Sequence, residues 1–289
     1  MSKRAERRRE IEQQERRQQF VRVAEQEQES YIWDNDPVKQ YVRHYGWLDI
    51  ISGYVARRQS AGIVDPIKYL TLPGAHAIDI GYLCRAGIIQ PARGTPRFPQ
   101  VVICDRKSAA QVNANLGGVL AASNKSLSSA ISGTTSELAR YFPFDVINFD
   151  ATHPIIFGLQ DGDLAYALEQ VNALEWMFRL QRGQSFLFLL TTRPDVDAGD
   201  ILRRALCKNL REYRDFSLAY QERYGSTEPE ACLNDFTGFT QIILSKLVAG
   251  LAKAMGYAIC EHFTARYRRP RNTSSSEPYD MICHSFELE

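Results

Sequence analysis

The stretch YLTLPGAHAIDIGYLCRAG, residues 69–87, admits two foldings, and the choice between them fixes the first strand of the chain. In one, HAIDIG (76–81) is the strand and YLCRAG the loop, with Asp79 and Gly81 facing a ligand. A ligand backbone that approaches such a loop closely needs further glycines at 83 and 85, and those positions hold Leu83 and Arg85. That frame also leaves only residues 82–100 for a helix, and Pro91, Pro96 and Pro99 interrupt them. In the other, YLTL (69–72) is the strand, PGA the turn and 75–86 a helix. Ala75, Ile78, Tyr82, Leu83 and Ala86 then fall on one helical face, and Pro73 and Gly74 sit at a strand-to-helix turn. Periodicity favours the second frame.

With YLTL as the first strand, short apolar runs alternate with amphipathic ones downstream. VVICD (101–105), LSSAISG (127–133), FDVINFD (144–150) and SFLFLLTT (185–192) read as further strands. Helical patterns separate them: SAAQVNANLGGVLA, SELARYF and DLAYALEQVNALEWMFRLQR. Runs apolar on both faces and joined by helices predict a parallel sheet covered on both sides. FTQIILSKLVAGLAKAM (239–255) is a helix, YAICEHFTARY (257–267) a strand, RRPRNTSSSEP a loop, and YDMICHSFELE (279–289) a last strand. Two strands joined without a helix are antiparallel. The expected class is therefore α/β: a doubly wound, mostly parallel sheet with a C-terminal antiparallel strand.

Three segments lie outside that alternation. Residues 1–30 hold eight Lys or Arg and seven Glu, with no Gly or Pro, and predict a charged helical arm with little to bury. Residues 31–68 are rich in aromatics. Val38, Tyr41, Val42, Tyr45, Leu48, Ile51 and Val55 keep a helical period, which predicts two short helices broken near Gly46 and packed on the core domain, 69–289. Residues 196–238 look like a helical insertion carrying Arg203, Arg204, Lys208, Arg211 and Arg214.

The net charge of +1 excludes a strong overall field for nucleic acid, so any basic patch is local. No apolar run reaches the ~18 residues a membrane helix needs, and the first 30 residues are too charged for a secretory signal, so a cytoplasmic protein is expected. The six cysteines and five histidines show no metal-ligand spacing, and neither zinc nor a disulfide framework is expected.

The order of elements over 69–289 resembles that of class I S-adenosylmethionine-dependent methyltransferases, whose seventh strand is antiparallel. VVICDRKSAAQVNANL followed by FDVINFDATHP is similar, more loosely, to tRNA guanine-dimethyltransferases and three-Cys-motif partner proteins. The resemblance implies S-adenosyl-L-methionine as cofactor, held at the carboxyl ends of the strands. It implies Asp105 as acceptor for both ribose hydroxyls, although the same residue suits a helix N-cap. Gly74 would let the methionine end approach. Thr71 stands where the family has an acid that holds the methionine ammonium, and Asp79, one turn into the helix, is the substitute at hand. Thr134 would face the adenine edge or cap a helix, since TTSEL is a capping pattern. Asp150 would orient the acceptor, with Asn148 and His153 beside it and His153 as a general base or an ordinary loop residue. The N-P-P signature of amino-methylating DNA enzymes is absent.

Arg266, Arg268, Arg269 and Arg271 would overhang the cleft and, with the arm 1–30, meet a phosphate-bearing partner. Two functions follow: a methyltransferase acting on or alongside nucleic acid, or a non-catalytic Rossmann-like subunit of a prokaryotic defence or nucleic-acid-handling assembly with a protein partner.

Overall fold

The computed structural model describes residues 37–73, 77–90, 99–105, 112–113, 121–123, 125–132, 136–151, 155, 164–194, 199–233, 235–269 and 279–289. Among them, seven strands form one sheet: β1 (Tyr69–Thr71), β2 (Val101–Cys104), β3 (Ala121–Ser123), β4 (Val146–Asp150), β5 (Phe186–Thr192), β6 (Ile259–Arg269) and β7 (Tyr279–Leu288). Their spatial order is β3-β2-β1-β4-β5-β7-β6. The pairs β3–β2, β2–β1, β1–β4 and β4–β5 are parallel. β7 runs antiparallel to both neighbours, β5 and β6. This is a doubly wound, Rossmann-like α/β sheet, with the antiparallel strand slotted between β5 and β6.

The apolar runs lack a polar face because both sides of the sheet are covered. On one face, Leu70, Val102, Ile147, Phe149, Phe188 and Leu190 pack under α3 (Leu127–Ile131), α4 (Leu164–Leu180) and α8 (Phe236–Ala254). The Phe178 ring meets Phe186 and Phe188 edge to face, with centroids 5.3 and 5.5 Å apart. On the other face, Tyr69, Val101, Ile103, Val146, Leu187 and Leu189 pack under α1 (37–60) and α2 (Ile78–Arg85).

Helix α1 joins Pro37–Tyr41, a π-helical segment Val42–Leu48 and Asp49–Ser60. The junction residues Tyr41 and Leu48 have ordinary helical dihedrals, so the helix does not break at Gly46 as expected; the backbone widens into π geometry instead. The helix runs obliquely from one rim of the sheet to the other. Lys39 reaches Asp150 at the carboxyl end of β4, while Arg57 pairs with Glu287, and Tyr54 approaches the carbonyl of Ser185, at the opposite rim.

The third strand lies elsewhere than expected. LSSAI is helix α3, because the Ser126 side chain caps it, accepting from the Ser129 amide. The strand is the short AAS run, 121–123, which begins on the last residue of what reads as a helical pattern. Within the insertion, α5 (Gly199–Glu212), α6 (Arg214–Tyr224) and α7 (Glu230–Leu233) form a small layer, whose core of Leu206, Tyr220 and Phe239 ties it to the start of α8.

Candidate functional site

Strand order reverses between β1 and β4, so their carboxyl ends flank the crevice where ligands bind in such sheets. A narrow cleft opens there, between the sheet and the π-helical part of α1. Thr71 lies opposite Ile103 of β2 and Asn148 of β4. Two residues further along each chain, Pro73, Asp105 and Asp150 come level with one another. Asp105 and Asp150 thus stand two strand spacings apart, about 10 Å.

The floor of the cleft is a chain of hydrogen bonds among buried polar groups. Asn148 Nδ2 donates to Tyr69 Oη at 3.0 Å. Tyr69 Oη donates to Asp79 Oδ2 at 2.9 Å, and Thr71 Oγ1 donates to the same oxygen at 2.7 Å. Burial raises the Tyr69 hydroxyl well above the ordinary tyrosine range, with the Asp79 charge acting the same way, so it stays a donor. Alternation along β1 aims Tyr69 and Thr71 at the same face, and Asp79 in the first turn of α2 meets both. A carboxylate suits that turn, where free amides and the helix dipole favour negative charge. One acceptor is left over: Asn148 is 4% exposed, and its Oδ1 has no partner. Ala77, directly before α2, holds a left-handed backbone at φ 46°, a strained conformation of the kind that gathers at ligand-binding turns.

The far wall comes from α1 and β6. Lys39 Nζ lies 3.1 Å from Asp150 Oδ2, and both side chains are largely buried. Arg43, Trp47 and Leu48 line the roof, and Tyr267 of β6 closes one side. Sequence reasoning missed this wall because it took Tyr41 and Tyr45 as the buried stripe. The structure leaves those two rings 64% and 59% exposed, tilted against each other with centroids 4.7 Å apart, and buries Lys39 and Arg43. A period-counting rule ranks tyrosine above lysine. It does not register that long cationic side chains bury their stems when an anion waits at the end. Tyr69 carried a usable signal, its alternation with Thr71.

Of the expected residues, Thr71, Asp79, Asn148 and Asp150 gather at this cleft. Asp105 directly follows β2 at the same level, its amide donating to Ser123 O at 3.0 Å. Gly74, Thr134 and His153 lie outside the described residues, as do Arg271 and the arm 1–30. The third strand ends at Ser123, eleven residues before Thr134. Arg266 and Arg268 do not overhang the cleft. The strand continues through Arg269, and alternation along it points Arg266 and Arg268 to the opposite face, where Arg266 Nη1 comes within 3.9 Å of Asp235 Oδ1 at the start of α8. Among the described residues, no three His, Cys, Asp or Glu side chains are grouped to hold a metal ion, and no helix is long and apolar enough to cross a membrane.

A family model described as PP_RS20740-like matches residues 32–87, the span that holds α1, β1 and α2. No curated protein matches the chain. Among solved structures, the chain is similar to a Pyrococcus horikoshii protein proposed to be an RNA methyltransferase, at 11% identity and a TM-score of 0.38, covering 82% of each chain. It is similar to the methyltransferase domain of bacterial CtHen1 at 12% identity and a TM-score of 0.37, covering 82% of this chain and 97% of that one. A third likeness is to an S-adenosylmethionine-dependent methyltransferase of Anabaena variabilis, at 12% identity and a TM-score of 0.37, covering 81% and 82%. The fold assignment rests on strand order and polarity, not on these likenesses.

Proposed function

We propose that the cleft binds S-adenosyl-L-methionine and that the chain is a methyltransferase. The observation that carries this is the unpartnered, buried Oδ1 of Asn148, which shares the cleft with the Asp79 carboxylate at the point where strand order reverses. An orphan acceptor and a carboxylate suit a cationic donor such as an amino-acid ammonium. Asp79 thereby takes over the task of the acid that Thr71 replaces. The Thr71 and Tyr69 hydroxyls hold its Oδ2 and leave Oδ1 for the ligand. Asp105, at the same level on β2, fits a ribose diol with its two acceptor oxygens. When bound, the cofactor supplies an electrophilic methyl group. The chain contributes position: Asp79 and Asn148 fix one end, Asp105 the other, and Asp150 orients the acceptor. The α1 roof with Trp47 and Leu48 keeps water from the reacting atoms.

Titration calorimetry on the full chain with S-adenosylmethionine and S-adenosylhomocysteine tests the reading. Micromolar binding is expected, weakened at least tenfold in Asp105→Ala and in Asp79→Asn. An absence of binding at millimolar ligand overturns it and favours the non-catalytic subunit. The arm 1–30, directly ahead of α1, is the segment proposed to meet a phosphate-bearing or protein partner. Its deletion should then remove co-purifying material without changing cofactor affinity.

A further inference from the structure

We infer that Lys39 is a methylation site of the chain itself, modified from within its own cleft. The inference rests on the cofactor reading above and deepens it by naming an acceptor.

The Lys39 amine stands where an acceptor would stand. Its Nζ is 3.1 Å from Asp150 Oδ2, at the carboxyl end of β4, the position proposed to orient the group that receives the methyl. It lines the same cleft as Asp79 and Asn148. The whole residue is 9% exposed, so a second enzyme has no approach to it. A donor bound in this cleft does. The amine is also held in place: Lys39 sits in the first turn of α1, three residues before the π-helical segment, and α1 is anchored at the far rim by Arg57 on Glu287 and by Arg58 on Asp145, the latter pair 2.8 Å apart. Anchored ends limit the search for a reactive geometry, which is the main contribution of positioning to such a step.

The chemistry balances. The Lys39 ammonium gives up one proton, through Asp150 to solvent. The freed lone pair attacks the sulfonium methyl, a C–N bond forms and the C–S bond breaks. The products are methyl-lysine, S-adenosylhomocysteine and that one proton. Methylation leaves the lysine able to carry its charge, so the pair with Asp150 survives while the added methyl is buried against Trp47 and Leu48, which line the same cleft.

The test uses the full chain and S-adenosylmethionine, with cofactor binding measured on the same sample by equilibrium dialysis. Digestion with a protease that does not cut at lysine, followed by mass spectrometry, is expected to show a gain of about 14 Da on the Lys39 peptide, one methyl replacing one hydrogen. The gain is absent in Lys39→Arg. It falls at least tenfold in Asp150→Asn, which should still bind cofactor. A second readout needs no transfer: labelling of Lys39 by acetic anhydride should drop severalfold when S-adenosylhomocysteine is bound, while labelling of surface lysines stays the same. Bound cofactor with an unmodified Lys39 overturns the inference and leaves the cofactor reading standing. No binding at all removes both.

Discussion

Lowering the pH from 7 to 5 should cost this fold about 2 kcal/mol through one side chain, His284. The residue lies on β7, is 2% exposed, and its Nε2 is buried without a partner. Its Nδ1 is 3.3 Å from Nε2 of His262, and its ring lies nearly parallel to those of His262 and Phe286, with centroids 5.6 and 5.7 Å away. Burial pushes His284 down to about 3, and the neighbouring His262 acts in the same direction. The folded chain therefore keeps His284 neutral throughout this range, while the unfolded chain takes up a proton near pH 6.5. The folded value lies below the unfolded one, so stability is fully present above about pH 6.5 and is lost as the pH falls towards 3. At pH 5 the unfolded histidine is almost wholly protonated, which gives the figure of about 2 kcal/mol. Urea denaturation at pH 7 and pH 5 measures it against His284→Phe, which fills the site with an apolar ring. The variant should lose about 2 kcal/mol less than the parent over that interval. Equal losses in the two proteins would refute the assignment of a neutral, desolvated imidazole.

Two stability measurements probe other parts of the fold. Gln181 is fully buried and clamps both backbone groups of Phe144, accepting from its amide at 2.8 Å and donating to its carbonyl at 2.6 Å, so Gln181→Ala strands two buried groups and should cost about 2–4 kcal/mol in urea denaturation. Tyr69→Phe removes the hydroxyl between Asn148 and Asp79, leaving Asn148 with no partner at either amide atom; a loss of about 2 kcal/mol is expected by the same assay, and no change would mean that water takes its place.

The parallel core was legible because its strands announce themselves by composition. VVIC is apolar at every position and FLFLLTT over its first five, and the structure finds them as strands within a residue or two of the expected bounds. The hairpin of β6 and β7 was legible because the sequence between them carries no helical pattern. The third strand was not. AAS carries no β-branched residue, and three residues bordering a helical pattern give a period of two no room to show. The serine-rich stretch after it looks extended until its cap is recognised. At the cleft, the acids could be listed from strand ends, whereas the Lys39–Asp150 pair joins residues more than a hundred positions apart and leaves no local mark. The side of the sheet to which Arg266 and Arg268 belong depended on where β6 stops. A strand that ends two residues later than expected turned a loop of overhanging arginines into alternating strand positions.

The slotting of β7 between β5 and β6 bears on how the chain comes off the ribosome. β6 is made first, yet its place beside β5 is reserved for a strand not yet translated. During that interval the outer edge of β5 and both edges of the eleven-residue β6 are bare, the condition under which nascent chains pair with the wrong neighbour. A pause or premature stop between codons 270 and 279 would therefore release a polypeptide with an empty interior lane, sticky rather than merely shortened.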